Sequence, residues 1–158
     1  MADAKLTQLT EDTTPSTTGL VYYVDDPLGS PVSRKVTVSN LFSSGTYTPT
    51  LGNVTNVAAS SVQQAFQYIR IGSIVYVSGP VTQDATTAAT QTVLSITLPF
   101  ASNFATTHDA VGVATSQTSG EYGGAILSNS TSDFVILQTY PISNANLGWR
   151  VSFMYTII

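Results

Sequence analysis

The chain has 158 residues and no cysteine, a length typical of one globular domain that folds without disulfides or thiolate metal sites. Only 9% of its residues are charged, against about a quarter in ordinary soluble domains, and 24 threonines and 19 serines supply much of its polarity. With a net charge of −4 and five basic residues, the chain is too poor in cations to follow a phosphate backbone, which argues against nucleic acid as a partner.

The first 44 residues differ in composition from the rest. They hold five of the nine acidic residues, three of the five basic residues and three of the seven prolines, whereas residues 45–158 have two arginines and no lysine. The change falls at the Ser-Ser-Gly joint of residues 43–45 and predicts an N-terminal arm over 1–44 and a folded body over 45–158. Within the arm, residues 20–24 and 34–38 are predicted to form a small hairpin, and residues 39–42 one helical turn.

The N-terminus itself is polar and threonine-rich, with Leu6 and Leu9 as its apolar residues. It lacks the apolar central segment of a secretory signal, and no run in the chain approaches the roughly twenty apolar residues needed to span a bilayer. We therefore expect the protein to be made in the cytoplasm, without export by the signal-peptide route and without membrane insertion.

The clearest strand signal of the body lies on either side of Gly72-Ser73. Two runs rich in β-branched and aromatic residues, 65–71 and 74–81, flank this pair, and a two-residue loop with glycine first is typical of a type II′ hairpin turn. The turn fixes the register, so that Phe66 faces Gly79 across the hairpin. Both faces are apolar near the turn, which predicts a packing partner on each side. One face carries Phe66, Tyr68, Val75, Val77 and Val81, and the other carries Ile69, Ile71, Ile74 and Tyr76.

The remaining body also has strand patterning. Residues 147–157 alternate large apolar side chains with smaller or polar ones, which predicts a long strand with one core face. Further strands are predicted over 46–51, 92–98, 109–117, 121–128 and 133–140, whereas 54–61 is predicted to be irregular or a brief helical turn. About seven or eight short strands at this spacing predict an all-β fold, an antiparallel β-sandwich of jelly-roll type behind the extended arm and its small hairpin.

Residues that could support catalysis or bind a metal are few. His108 is the single histidine, and Asp109 follows it, but adjacent residues of an extended chain point to opposite sides, so the two side chains are expected to diverge. Asp25-Asp26 lacks the alternating carboxylates of a calcium loop, and without cysteine or a histidine cluster a zinc site is excluded. The sequence predicts no catalytic residue, no metal and no cofactor.

Aromatic side chains could instead read a sugar. Trp149 is in phase with the apolar positions of the last strand, which favours a place in the core over a sugar platform. Tyr122 lies beside two glycines and Tyr140 precedes a proline, so both are expected to be exposed, and Asn129 lies in a turn near them in sequence. These three residues are the predicted contacts for a carbohydrate or another host-surface ligand.

Several runs of the body resemble a small β-domain of tailed-bacteriophage fibre proteins. The matching runs are Gly45-Thr46-Tyr47-Thr48-Pro49-Thr50-Leu51, Asn53-Val54-Thr55-Asn56-Val57, residues 66–79, Leu98-Pro99-Phe100-Ala101-Ser102-Asn103-Phe104 and Phe153-Met154-Tyr155-Thr156-Ile157. The arm is similar to a separate N-terminal segment of phage structural proteins, through Lys5-Leu6, Leu9-Thr10, Thr14-Pro15 and residues 35–41. The resemblance implies a homotrimeric virion protein with its N-terminus bound to the particle and its β-domain held outward.

The chain departs from a typical tail fibre because no long shaft separates its two parts. The resemblance therefore favours a short head fibre, decoration protein or tail-associated fibre, with a receptor-binding module at a fibre tip as the alternative. The arm would bind capsid or tail proteins, and its predicted anchoring residues are Leu6, Leu9, Leu20, Tyr22, Val24, Val36, Val38, Leu41 and Phe42.

The residues themselves also predict an oligomer. Nearly uncharged strands without lysine at their edges are prone to uncontrolled pairing, and a closed symmetric assembly prevents it. The predicted oligomer interface consists of Ile69, Ile71, Ile74 and Tyr76, the second apolar face of the hairpin.

Overall fold

The computed structural model describes residues 16, 18–25, 32–118 and 120–158, and the chain divides into two compact units, one up to Ser43 and one from Ser44 to Ile158. The predicted boundary after residue 44 lies one residue from this division. Two of the predicted anchoring residues, Leu6 and Leu9, lie outside the described residues. No helix in the described part of the chain is long and apolar enough to cross a bilayer.

The first unit contains the small hairpin predicted for the arm. Strand β1 (Leu20–Asp25) pairs antiparallel with β2 (Val32–Thr37), and one helical turn, α1 (Val38–Leu41), follows directly. The hairpin places Val21 opposite Val36 and Tyr22 opposite Lys35, so consecutive residues of β1 point to opposite faces.

The second unit contains a single large antiparallel sheet of ten strands. In chain order these are β3 (Phe42–Tyr47), which begins two residues before the unit, β4 (Leu51–Thr55), β5 (Val57–Val62), β6 (Phe66–Ile71), β7 (Ile74–Ala85), β8 (Thr92–Thr97), β9 (Ala110–Ser116), β10 (Gly124–Ser128), β11 (Phe134–Thr139) and β12 (Asn146–Thr156). The all-β, antiparallel and sandwich-like prediction is confirmed.

The sheet curls back on itself through β4 and β5. The order is β3-β6-β7-β12-β9-β10-β11-β8-β4, and β5 pairs with the free part of the β7 edge that β6 leaves open. Because β4 pairs with β8 and the next strand, β5, pairs with β7, this segment joins the far end of the sheet to its middle. Residues on the inner face are thereby enclosed.

Asn56 forms the corner between β4 and β5. Its φ is 55°, in the left-handed region that asparagine tolerates better than most residues. The side-chain amide donates to the carbonyl oxygen of Thr87 at 2.8 Å and to the hydroxyl of Thr92 at 2.8 Å, and its oxygen accepts the Thr87 N–H at 2.8 Å. The corner is therefore tied to the loop between β7 and β8.

This part of the fold corrects two of the predicted elements. The strand predicted over 46–51 is two strands, β3 and β4, separated by residues 48–50, and the segment 54–61, predicted to be irregular, belongs to β4 and β5. Because β5 has small residues on both faces, its sequence shows no clear alternation of apolar and polar side chains. Its structure as a strand is decided by its pairing with β7.

The predicted hairpin and the predicted core face are both confirmed. Tyr68 pairs with Val77 and Ile71 with Ile74, with Gly72 at φ 58° in the turn. In β12 the alternate residues from Leu147 to Tyr155 are buried and belong to the core. The largest fully buried side chains are Trp149, Phe66, Phe153, Leu94, Ile96, Ile126 and Leu137.

Candidate functional site

The outer face of β6, β7, β12 and β9 carries a continuous row of apolar side chains. The register places Ile69 opposite Tyr76, Tyr76 opposite Met154, and Met154 opposite Val111, so the four lie side by side across four strands. Together with their neighbours they form what we call the outer apolar face. Its members are Ile69, Ile71, Ile74, Tyr76, Val111, Val113 and Met154, each between 46% and 63% exposed.

The predicted interface residues therefore lie together, but they are only part of this face. Val111, Val113 and Met154 were not predicted to belong to it, because no local signal indicates that β9 pairs with β12. Met154 could have been assigned to the outer side from the alternation of β12 alone, since its neighbours Phe153 and Tyr155 are both in the core.

The outer apolar face is also concave in part. A shallow concavity of about 340 Å³ lies among Tyr76, Val111, Val113 and Met154. At its edge the hydroxyl of Tyr76 is hydrogen-bonded to the hydroxyl of Ser152 at 2.8 Å, which holds the tyrosine ring over the neighbouring strand. Scattered apolar residues are normal on a protein surface, whereas a contiguous apolar patch such as this one is a candidate interaction site.

A polar groove adjoins the outer apolar face on the same side of the sheet. Ser78 is two residues along β7 from Tyr76. It lies opposite Gln67 of β6 on one side and Ser152 of β12 on the other. Arg150 is two residues along β12 from Ser152, and it lies opposite Pro80 of β7 on one side and Thr115 of β9 on the other. The concavity has a volume of about 440 Å³ and is called the Arg150 groove here. Its polar lining consists of Gln64, Gln67, Ser78, Thr115, Arg150 and Ser152.

The two arginines of the second unit have different surroundings. Arg70 donates from Nε to the carbonyl oxygen of Gly72 at 2.7 Å, and its guanidinium lies 5.0 Å from the centre of the Phe100 ring. The Arg150 side chain is exposed, and its guanidinium has no hydrogen bond or ion pair with any of the described residues. It is the charged side chain of the groove.

The residues predicted to anchor the arm lie on both faces of its hairpin. Val36 and Leu41 line an apolar concavity of about 300 Å³ together with Val21 and Tyr23, which had not been predicted. Leu20 and Tyr22 alternate with Val21 and Tyr23 along β1 and so belong to the opposite face. There Leu20 pairs with Thr37 and Tyr22 with Lys35. Of the remaining predicted anchors, Val38 lies in α1, Phe42 begins β3 and is exposed, and Val24 lies in β1.

The three predicted ligand contacts lie at two different ends of the sheet. Tyr122 and Tyr140 are exposed and lie at the same end of the sheet, where the carboxylate of Glu121 accepts the N–H of Ile142 at 2.8 Å. Asn129 follows the far end of β10, and a strand of five residues separates it from Tyr122 by roughly 20 Å.

His108 and Asp109 are arranged as a loop, not as a catalytic pair. The carboxylate of Asp109 accepts the N–H groups of Ala105 and Thr106, both at 2.7 Å, and the Thr106 hydroxyl at 2.9 Å. The Thr106 backbone N–H, followed by the Thr106 hydroxyl, holds the pKa of Asp109 below its usual value. Within the described residues, no group of three or more histidines and carboxylates is placed to hold a metal ion.

Two tyrosines beneath the β6–β7 hairpin have strongly shifted titration. Burial is the main cause that raises the pKa of Tyr47 and of Tyr155 well above the ordinary value of about 10. The Tyr155 hydroxyl donates to the carbonyl oxygen of Phe100 at 2.9 Å, and the Tyr47 hydroxyl to that of Thr97 at 3.2 Å. Both are therefore structural hydrogen-bond donors that close the core.

Comparisons of the chain with protein-family models, with curated proteins and with solved structures gave no match.

Proposed function

We propose that this protein is a structural component of a tailed-bacteriophage virion, a short homotrimeric head fibre, decoration protein or tail-associated fibre. The observation that carries the proposal is the outer apolar face, seven contiguous apolar side chains that the chain itself leaves exposed. The resemblance of the arm and body to phage fibre proteins supports the assignment of the assembly to a phage virion. The outer apolar face supports self-association of the chain.

Self-association through this face is favourable on physical grounds. All seven side chains are uncharged, so contact between copies through these residues buries no charge. Burying apolar surface contributes roughly 25 cal/mol for each Å² removed from water. An interface of about 2,000 Å² or more, the size expected of a permanent assembly, would extend from this face to the neighbouring strands.

Attachment to the particle is assigned to the arm. It forms a unit of its own, and within it Val21, Tyr23, Val36 and Leu41 surround an apolar concavity that a side chain of a capsid or tail protein could fill. The body carries the outer apolar face, so attachment and self-association use different parts of the chain.

The experiment is incorporation of the chain into virions of the phage that encodes it, scored by mass spectrometry and immunogold labelling of purified particles. The full chain is expected to label particles at fixed positions. A chain beginning at Ser43 is expected to remain folded and self-associated but to be missing from particles. Labelling by the shortened chain would refute the role of the arm, and absence of the full chain from particles would refute the virion assignment.

A second candidate function, recognition of a carbohydrate on the host surface, is favoured by the exposed aromatic pair at one end of the sheet. Tyr122 is 67% exposed and Tyr140 is 52% exposed, and the Glu121 carboxylate ties their loops together. Binding of the full chain to a glycan array that is lost in Tyr122→Ala and kept in Tyr76→Ala would support this function. Equal binding by both variants would place recognition elsewhere.

A further inference from the structure

The Arg150 groove has the size and composition of a small-molecule site. Its volume of about 440 Å³ lies within the range of roughly 300 to 1,000 Å³ that is usual for ligand pockets. Its walls come from β12, from the strands on both sides of it, β7 and β9, from β6, and from the loop residues Gln64 and Ala65 just before β6, so most of the lining side chains stand on paired backbone. Sites built on strands hold their geometry more precisely than sites built on loops.

Among the described residues of the second unit, no carboxylate is paired with Arg150. Three of the four carboxylates are engaged by backbone N–H groups: Asp109 by Ala105 and Thr106, Glu121 by Ile142, and Asp133 by Ser102. The fourth, Asp84, is four residues along β7 from the residue opposite Arg150, or about 13 Å. As far as the described residues go, the guanidinium fork of Arg150 is therefore open to a carboxylate from outside.

The groups around Arg150 indicate the rest of the ligand. Gln64 and Gln67 offer amides, and Ser78, Thr115 and Ser152 offer hydroxyls, all of which can both donate and accept hydrogen bonds. The floor is supplied in part by Pro80, whose ring can contact the carbon skeleton of a sugar. One cation among neutral groups of this kind matches a molecule with one carboxylate and many hydroxyls.

We propose that the Arg150 groove binds an acidic sugar, a uronic or sialic acid residue, with its carboxylate on the Arg150 guanidinium and its hydroxyls on the surrounding amides and hydroxyls. A phosphate group is a poorer match, because phosphate sites combine several cations or backbone N–H groups and the groove has one arginine. A neutral sugar would leave the guanidinium unpaired. The proposal stands without the virion assignment, since it rests on the groove alone.

The test compares D-glucuronate with D-glucose, which has the same ring and a hydroxymethyl group in place of the carboxylate. Saturation-transfer NMR on the full chain measures both ligands, with inorganic phosphate as a third probe. We expect saturable binding of glucuronate and affinity for glucose and phosphate at least tenfold lower. Loss of the arginine in Arg150→Gln is expected to weaken glucuronate binding about ten- to a hundredfold, as for a hydrogen bond to a charged group.

The control is Arg70→Gln, which removes the other arginine of the unit and is expected to bind glucuronate like the wild type. If Arg150→Gln fails to give the wild-type circular dichroism spectrum, Thr115→Val provides an isosteric variant expected to weaken binding severalfold. Absence of saturable glucuronate binding, equal affinity for glucose, or equal affinity for phosphate would overturn the proposal. Wild-type affinity for glucuronate in a folded Arg150→Gln protein would also overturn it. If Arg150→Gln does not fold, wild-type affinity in Thr115→Val would do the same. A loss of self-association with glucuronate binding intact would affect only the proposed function.

Discussion

The ring of Phe66 fills the space beside Gly79 on the neighbouring strand, where a side chain would have to stand. A Cβ placed on Gly79 would overlap three ring atoms of Phe66, so the glycine is what lets the aromatic ring enter the core at this point. Phe66 is fully buried and meets Tyr47 edge-on at 5.8 Å between ring centres. The hairpin and the core are thus joined by one aromatic-glycine pair.

Replacing Gly79 with alanine is therefore expected to destabilise the protein by about 1 to 3 kcal/mol, because the methyl group forces Phe66 out of its place. Urea denaturation followed by tryptophan fluorescence measures the change. The matched control is Gly123→Ala, whose added Cβ would have its nearest contact at an ordinary 3.4 Å. Equal stabilities for the two variants would contradict the role given to the Phe66–Gly79 contact.

A second prediction concerns the corner that closes the sheet. Asn56→Ala loses three short side-chain hydrogen bonds and puts a residue with a Cβ at φ 55°, so we expect a loss of about 2 to 4 kcal/mol. Asn56→Gly loses the same hydrogen bonds but adopts this φ freely, and should be less destabilised. Thermal denaturation distinguishes the two, and an alanine variant as stable as the wild type would show that the corner does not hold β4 and β5.

These elements also indicate how far the fold can be predicted from the sequence. The turn at Gly72-Ser73 and the alternation of β12 are local signals, and both predict the structure correctly. The corner at Asn56 is different, because its conformation depends on Thr87 and Thr92, more than thirty residues away. Pairings of that kind leave no periodic pattern in either segment.

The candidate surfaces follow the same rule. The apolar hairpin residues Ile69 and Tyr76 can be predicted to share a face because the turn sets their register. The Arg150 groove cannot be predicted, since its residues come from four strands and the loop before β6, and the order of those strands in the sheet is not encoded locally.

A third prediction follows from the buried tyrosines. Since burial raises their pKa, folding favours the protonated hydroxyl, and their contribution to stability is complete below the unfolded pKa of about 10 and is lost as the pH rises above it. The free energy of unfolding should therefore fall steeply above pH 10. Tyr47→Phe is expected to cost about 1 kcal/mol at pH 7 and to make the alkaline decline shallower.

The control for this prediction is Tyr140→Phe, which removes an exposed tyrosine and should leave both the stability at pH 7 and its alkaline decline unchanged. Urea denaturation at pH 7, 9, 10 and 11 gives the comparison. A Tyr47→Phe protein that loses stability with pH as steeply as the wild type would contradict the assignment.

A fourth prediction concerns the outer apolar face. Lysine at both Val111 and Met154 places two charges in the middle of this face, and burying them between copies is expected to cost enough to dissociate the assembly into folded monomers. Lysine at Tyr122, which is exposed but lies outside the face, should leave the assembly intact. Size-exclusion chromatography with light scattering separates the two results, and a doubly substituted protein of unchanged mass would exclude this face as the interface.

The most direct test of the whole account is the mass of the unmodified full chain in solution. Sedimentation equilibrium at low micromolar concentration is expected to give about three times the 16.6 kDa of one chain. A single stable species of 16.6 kDa under these conditions would contradict the claim that the outer apolar face is covered by sister copies.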